Sequence, residues 1–379
     1  MVIDYIRYLL LASTVLVSTL TNETRPADAV NAPDSTSVTL LFAGDIMQHG
    51  PQIEAAWFAG DSGYNYNPCF SYVKPIVSGF DIAIANLEVT LAGKPYTGYP
   101  QFSAPDELAV AVQDAGFDVL ATANNHCCDR GKAGLIRTIS VLDSLRIMRT
   151  GTFLDSADFR DHHPLILKKN DITIALLNYT YGTNGLPVHE PTIVSLIDTS
   201  KIINDLKSAR RPDVDFVVVF FHWGNEYQSQ PSSEQETIAR LCRINGADAV
   251  IGSHPHVIQP MEYFAPDTLN PVGHLLVYSL GNYVSNQRDR YKDGGAMIGF
   301  TLTKTWNKKT ISRPEYHLTW VYTPYENGRK QYYILPVNQL ENESSMDSIS
   351  RENLRLFSTD SRGLLNTGKN AVPEFSVAR

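Results

Sequence analysis

Five apolar runs in this chain each end in a residue able to hold a metal ion or move a proton. Residues 38–43 run into Gly44-Asp45, 81–86 into Glu88, and 118–123 into Asn124-Asn125-His126. Residues 216–221 run into His222, and 247–251 into Gly252-Ser253-His254-Pro255-His256. Neutral imidazole is the commonest side-chain metal ligand. Carboxylate, carboxamide and imidazole converging at one edge of a sheet suit a hard or borderline divalent ion. The candidate ligands at these ends, Asp45, Glu88, Asn125-His126, His222, His254 and His256, come to about six, too many for one tetrahedral zinc. They suit two ions that share a bridging carboxylate, an arrangement that lowers the pKa of a water between them and performs hydrolysis.

Each residue also has a plainer use. Asp45 could cap a helix, Glu88 could be a surface charge, and paired asparagines are common in turns. His126 and His222 could be neutral core histidines, and His254 and His256 could lie on a surface loop. These uses are individually respectable and jointly improbable.

The elements that must position such a site read as an α/β chain. The five runs are short and apolar, as buried strands are. Helical patterns occupy 53–58, 68–78, 105–115, 134–145, 200–210 and 233–245, the last with Ser232 or Ser233 as cap and Glu236 as its box partner. Residues 165–167 and 172–177 form a hairpin around a polar Lys-Lys-Asn-Asp turn. Residues 92–103, with two prolines and two glycines, make a turn-rich excursion. Further strands are expected at 147–150, 272–278, 296–303, 316–322 and 332–336.

At 379 residues, 43% hydrophobic and 19% charged, the composition is that of a globular protein with one large core. A formal charge of −8 and no basic run argue against a nucleic-acid partner. Residues 8–20 are uncharged and apolar, a length that suits a signal-peptide core better than a membrane span. Ala27-Asp28-Ala29 is a candidate cleavage site, and an uncleaved N-terminal anchor is the alternative. The expected organisation is a signal or anchor over 1–29, a linker over 30–36, the main domain over 37–340 and a polar extension over 341–379. Cys69, Cys127, Cys128 and Cys242 lack C-x-x-C spacing and read as free thiols.

The motif series resembles the CapA family of capsule and poly-gamma-glutamate synthesis proteins, relatives of the calcineurin-like metallophosphoesterases. It comprises Gly44-Asp45-Ile46-Met47, Asn86-Leu87-Glu88, Ala123-Asn124-Asn125-His126 with Asp129 and Gly131, and His222-Trp223-Gly224 with Glu226-Tyr227. Gly252 to His256 and Ser279-Leu280-Gly281-Asn282 complete it. The resemblance covers about residues 37–300. It implies a metallophosphoesterase-like four-layer α/β/β/α sandwich with two mixed sheets and a dinuclear centre of Mn, Fe, Zn or Mg. Asp45 and His256 would serve one metal, and Asn125, His222 and His254 the other, with Glu88 bridging. His126, held by Asp129, would be the leaving-group acid. Asn86, Asn124, Trp223, Glu226, Tyr227 and Asn282 are expected at the substrate, and Tyr179 and Tyr181 are further groove candidates. Met47 stands where the wider superfamily has a histidine, with His49 as a substitute, and Glu88 stands where it has aspartate.

The function implied is an exported, metal-dependent hydrolase acting in capsule or envelope polymer synthesis, attachment or export. Its partners would be an anionic polymer or a phosphorylated lipid substrate and a membrane-bound synthesis machinery. The alternative is a non-catalytic polymer-binding or assembly subunit that keeps the fold without the full dinuclear site.

Overall fold

Strand β1 (Thr36–Ile46) shows why this chain builds layers. Val38, Leu40 and Phe42 on one face enter a core shared with a second sheet, while Leu41 and Ala43 on the other meet helices. A strand buried on both faces reads as a continuous apolar run, which is how it stands in the sequence. The computed structural model describes residues 35–58, 63–268, 270–326, 328–340 and 346–376. The expected signal segment lies outside the described residues. Among those described, no helix is long and apolar enough to cross a membrane.

After β1 come α1 (Gly50–Ala56), β2 (Ile82–Leu87), α2 (Glu107–Asp114), β3 (Val119–Ala121), α3 (Gly131–Ser144) and β4 (Met148–Thr150). β1 to β4 are parallel neighbours in that order. The expected helix over 68–78 is instead two four-residue turns, Asn67–Phe70 and Lys74–Val77. Pro75 lacks the N–H that a continuous helix needs there.

The hairpin of β5 (Leu165–Lys169) and β6 (Ile172–Thr180) opens the second sheet. Its turn residues Asn170 and Asp171 have φ of 48° and 59°, the left-handed pair that matches strand twist. Next come α4 (Thr199–Ala209), β7 (Phe216–His222), α5 (Ser233–Ile244), β8 (Ala249–Ser253), β9 (Met261–Phe264) and β10 (His274–Val277). The order across this sheet is β9-β10-β8-β7-β6-β5. The chain then returns to the first sheet with β11 (Asn282–Val284), β12 (Gly294–Lys304), β13 (Lys309–Tyr322) and β14 (Tyr333–Pro336). β11 lies parallel to the end of β1, and the antiparallel strands β12, β13 and β14 extend that sheet outward from β1.

One apolar core fills the space between the sheets, and two others lie between each sheet and its own helices. The result is the expected α/β/β/α sandwich with two mixed sheets. Residues beyond 340 are a correction. Helix α6 (Ser348–Leu365) buries Leu354, Phe357 and Leu365 in the inter-sheet core. Tyr263 N and Tyr316 N donate to Asn370 O and Pro373 O, so the polar C-terminal stretch belongs to the same body. Its apolar residues face one side of the helix, and averaged composition hid them.

Helix α5 is capped by Ser232, whose Oγ accepts from Gln235 N while the Gln235 side chain bonds Ser232 N. The box partner is therefore Gln235, at the third helical position, and not Glu236. Ser232→Ala is expected to cost about 1 kcal/mol of folding stability in denaturant titration.

Candidate metal centre

The strand ends of the two sheets meet at one buried cluster. Gly44 sets the approach on the first sheet: a Cβ there would lie 2.0 Å from Gly281 O. Without it, Asp45 N donates to Gly281 O at 3.0 Å, and the Asp45 carboxylate stands fully buried. Asn86 Nδ2 donates to Asp45 Oδ1 at 2.8 Å. His254 N lies 3.2 Å from Asp45 Oδ2, which ties the second sheet's edge to the first. Glu88 follows β2, and its own N donates to Ile46 O at 3.1 Å.

On the second sheet, His222 ends β7 and Ser253 ends β8. Trp223 packs under this edge where Gly252 leaves room; a Cβ on Gly252 would lie 2.4 Å from Trp223 Nε1. His254 and His256 have φ of 100° and 59°. Two non-glycine residues in the left-handed region store of order 1–3 kcal/mol each, and such strain clusters at functional sites. The turn expected from Gly252 and Pro255 is made by the histidines' own backbone.

Six side chains thereby come together. His222 Nε2 lies 2.8 Å from Asn125 Oδ1, 3.1 Å from His254 Nδ1 and 3.5 Å from Glu88 Oε1. His256 Nδ1 lies 3.3 Å from Asp45 Oδ2, and its Nε2 lies 3.9 Å from Glu88 Oε1. Among the described residues, Glu88-His222-His254 and Asp45-Glu88-His256 each bring three ligand atoms within 4.8 Å of one another. Glu88 belongs to both groups. Both its carboxylate oxygens are buried without a hydrogen-bond partner. A buried carboxylate with no donor is costly unless a cation answers it, so this donor set is compatible with divalent metal binding.

The electrostatics agree with a site waiting for positive charge. Burial and the nearby Asp45 charge push Glu88 well above the usual carboxyl range. For Asp45, burial pushes upward, but the His256 hydrogen bond, the His222 and His256 charges and the Asn86 bond hold it down at about 2. Burial pushes His222 down to about 3 and His254 well below its usual value. His256 is opposite: burial lowers it, yet Glu88 and Asp45 raise it to about 9. A raised histidine contributes stability that is full below its unfolded value of 6.5 and lost as pH rises through about 9. Metal uptake at His256 would displace that proton. Metal affinity should therefore rise with pH across this window, and calorimetry in buffers of different ionisation enthalpy should register proton release.

His126 stands beside the cluster and in neither group. Its Nδ1 lies 2.7 Å from Asp129 Oδ2, which also accepts from Phe102 N at 2.8 Å. The Phe102 ring meets the His126 ring edge-on at 4.6 Å, so the excursion over 92–103 walls in this pair.

The remaining expected residues divide. Asn86 and Asn124 are buried braces: Asn124 Nδ2 donates to Leu87 O at 2.7 Å and its Oδ1 accepts from His126 N at 3.1 Å. Asn282 is also internal, with Oδ1 3.1 Å from His256 Nδ1. Trp223 is a correction: it is fully buried, stacks on Phe221 at 4.4 Å and donates to Tyr278 O, so it supports the edge from below. Tyr179 is likewise core, with its hydroxyl on Asp205. Tyr181 is 46% exposed with its ring 4.5 Å from His254, and Tyr227 is 47% exposed with its ring 6.0 Å from His256. Glu226 is exposed beside Tyr227. Met47 is buried in the helix-side core. His49 caps α1 and faces Gln52, outside both groups. Two neighbours escaped sequence reasoning. Ser253 Oγ meets His222 Nδ1 at 3.1 Å, and Lys292 Nζ lies 4.4 Å from the Tyr227 ring centre. Ser253 sits inside the histidine motif and was legible; Lys292 had no local signal.

Comparison with known proteins finds relatives in one family. The family model for the bacterial capsule synthesis protein PGA_cap matches residues 39–287. The capsule biosynthesis protein CapA of Bacillus anthracis is 26% identical over 343 residues, 87% of this chain and 74% of that protein. The PGA biosynthesis protein CapA of Bacillus subtilis (strain 168) is 30% identical over 275 residues, 69% of this chain and 67% of that protein. Among solved structures, a novel phosphatase of Mycoplasma pneumoniae aligns with a TM-score of 0.45 at 17% identity, over 74% of this chain and 92% of that one.

Proposed function

The chain belongs to the bacterial capsule synthesis protein family PGA_cap, and from that premise we propose that it is a metal-dependent hydrolase of an anionic envelope polymer or its phosphorylated precursor. The observation that carries the reading is Glu88, a fully buried carboxylate with no hydrogen-bond partner, common to two groups of ligands. Asp45, Glu88 and His256 would hold one divalent ion, and Glu88, Asn125, His222 and His254 a second. Ions bound there supply Lewis acidity and lower the pKa of a water molecule.

The protein's own groups do the rest. Asn86 braces Asp45, and Ser253 orients His222 through Nδ1, leaving Nε2 directed at the cluster. Asp129 fixes the His126 ring through Nδ1, so it is from Nε2 that the imidazolium form would pass a proton to the leaving group. Tyr181 and Tyr227 flank the histidines on the solvent side, where a phosphoester or amide group would enter. Work in the periplasm or envelope accords with the apolar N-terminal run, and a membrane-bound synthesis machinery is the proposed partner.

A second reading has its own observation. Met47 lies in the helix-side core, which leaves the Asp45 group with three ligands. A polymer-binding subunit holding one ion would need no more. Elemental analysis of the purified protein, with turnover of bis-p-nitrophenyl phosphate under Mn, Zn, Fe and Mg, separates the two. Two equivalents with turnover support the hydrolase. One or none without turnover supports the binding subunit.

A further inference from the structure

The end of the sandwich opposite the metal centre carries a surface feature with no assigned role. Trp306, at the tip of the turn between β12 and β13, is 85% exposed, more than any other large apolar side chain among the described residues. The turn beneath it is well formed. Thr305 N donates to Lys308 O at 2.8 Å, and Thr305 Oγ1 accepts from Lys308 N at 3.0 Å.

A second tip stands beside the first. Thr36, at the start of β1, is the Cα partner of Lys304 at the end of β12. Its Oγ1 donates to Asn170 O in the turn between β5 and β6, and Asn170 Nδ2 donates back to Ser37 O at 3.0 Å. Lys304 Nζ donates to Asp171 O at 3.1 Å. Both turns and the first residues of β1 are thereby tied into one edge.

That edge is basic in an acidic chain. Lys168, Lys169 and Lys308 are exposed there. Lys304 and Lys309 join them, each 2.9 Å from Asp215. The acidic groups near these lysines are Asp171, Asp215 and, beside Lys169, Asp118. Arg211 and Asp213 on the loop before β7 pair with each other at 3.2 Å. Positive charge is left over, although the whole chain stands at −8.

The place of this edge along the chain indicates what it meets. The described residues begin at 35, next to Thr36. Residues 21–34 separate it from the uncharged apolar run over 8–20, and a stretch of that length spans at most about 50 Å. A bilayer that receives the run therefore lies within reach of this edge. Asp45 stands at the far end of β1, about 30 Å from Thr36 at the usual rise of a strand.

We infer that this edge docks on a membrane surface containing anionic lipid. The Trp306 indole would sit at the headgroup boundary, with Lys168, Lys169 and Lys308 against the lipid phosphates. An indole is apolar in body with one polar N–H, which suits that boundary. Lysines add attraction to an anionic leaflet. The consequence is orientation. The candidate metal centre faces away from the bilayer, and a headgroup lying in the leaflet stays about 30 Å short of it. A group that reaches the centre must extend outward. This consequence rests on the hydrolase reading, whereas the docking does not.

The test reads tryptophan quenching of the full chain by vesicles whose acyl chains carry bromine close to the headgroups. The vesicles are phosphatidylcholine alone or mixed with phosphatidylglycerol. Quenching is expected on the mixed vesicles, and Trp306→Phe should remove most of it, since Trp223 and Trp320 are buried. Lys168→Gln with Lys308→Gln should lower it at least about twofold at low salt, and high salt should act the same way. Melting temperature and phosphodiester turnover of these variants should match the parent. The signal belongs to one indole, so it reads the edge whether or not residues 8–20 hold the chain on the vesicle. Absence of quenching, or quenching that survives in Trp306→Phe and disappears in Trp57→Phe, would overturn the inference. Equal quenching with and without phosphatidylglycerol would overturn the role given to the lysines. Trp306 shielded from iodide in lipid-free, dimeric protein would make the edge a contact between copies instead. Absence of metal and turnover would sink the hydrolase reading and leave this measurement standing.

Discussion

His126→Ala is expected to keep the protein's metal and to lose turnover by about 10²- to 10⁴-fold on substrates with a poor leaving group, the usual worth of a positioned acid. Retention of metal follows from placement. His126 lies outside both ligand groups, bonded through Nδ1 to Asp129 and walled by Phe102. The loss should depend on the leaving group. A p-nitrophenolate departs without a proton, so the deficit should shrink on that ester and be large on an alkyl ester. Elemental analysis and rates on the two esters check both halves. Metal loss in the variant would make His126 a ligand, and an equal deficit on both esters would remove its role as an acid. Asp129→Asn should show the same pattern at smaller size, since the ring remains while its orienting charge is gone.

Glu88→Gln is the second large effect. The substitution keeps the shape and removes the charge that two ions would share. Burial and the Asp45 charge already raise Glu88 well above the carboxyl range, so its charge adds little to the metal-free fold. The metal-free variant should therefore melt close to the metal-free parent. The difference should appear on adding metal. A ligand bound to the native state at 100 times its dissociation constant stabilises by about 2.7 kcal/mol. The parent should gain a shift of that kind, the variant little or none, and its content should fall below one equivalent. A variant that still binds two equivalents would show that Glu88 is not shared.

Much of this was legible because parallel strands buried on both faces leave continuous apolar runs, and their ends announce the loops that follow. Asp45, Glu88, Asn125-His126, His222, His254 and His256 could be listed together from those ends, while setting His126 apart from the ligands needed the family resemblance. What could not be read was contact across distance. Trp223 stands in the histidine motif yet lies beneath Gly252, a fact set by the missing Cβ of a residue on the next strand. Arg329 reaches Trp57 across 272 positions, a contact with no local signature. The docking of helix α6 onto the main body was missed for another reason: Leu354, Phe357 and Leu365 carry a clear helical spacing, but polar neighbours outweighed them in composition.

Anomalous diffraction from crystals soaked in Mn²⁺ or Zn²⁺ tests the central claim most directly. The account predicts two peaks that both contact the Glu88 carboxylate, one beside Asp45 and His256 and the other beside His222 and His254. A single peak, or metal bound away from Glu88, would contradict it.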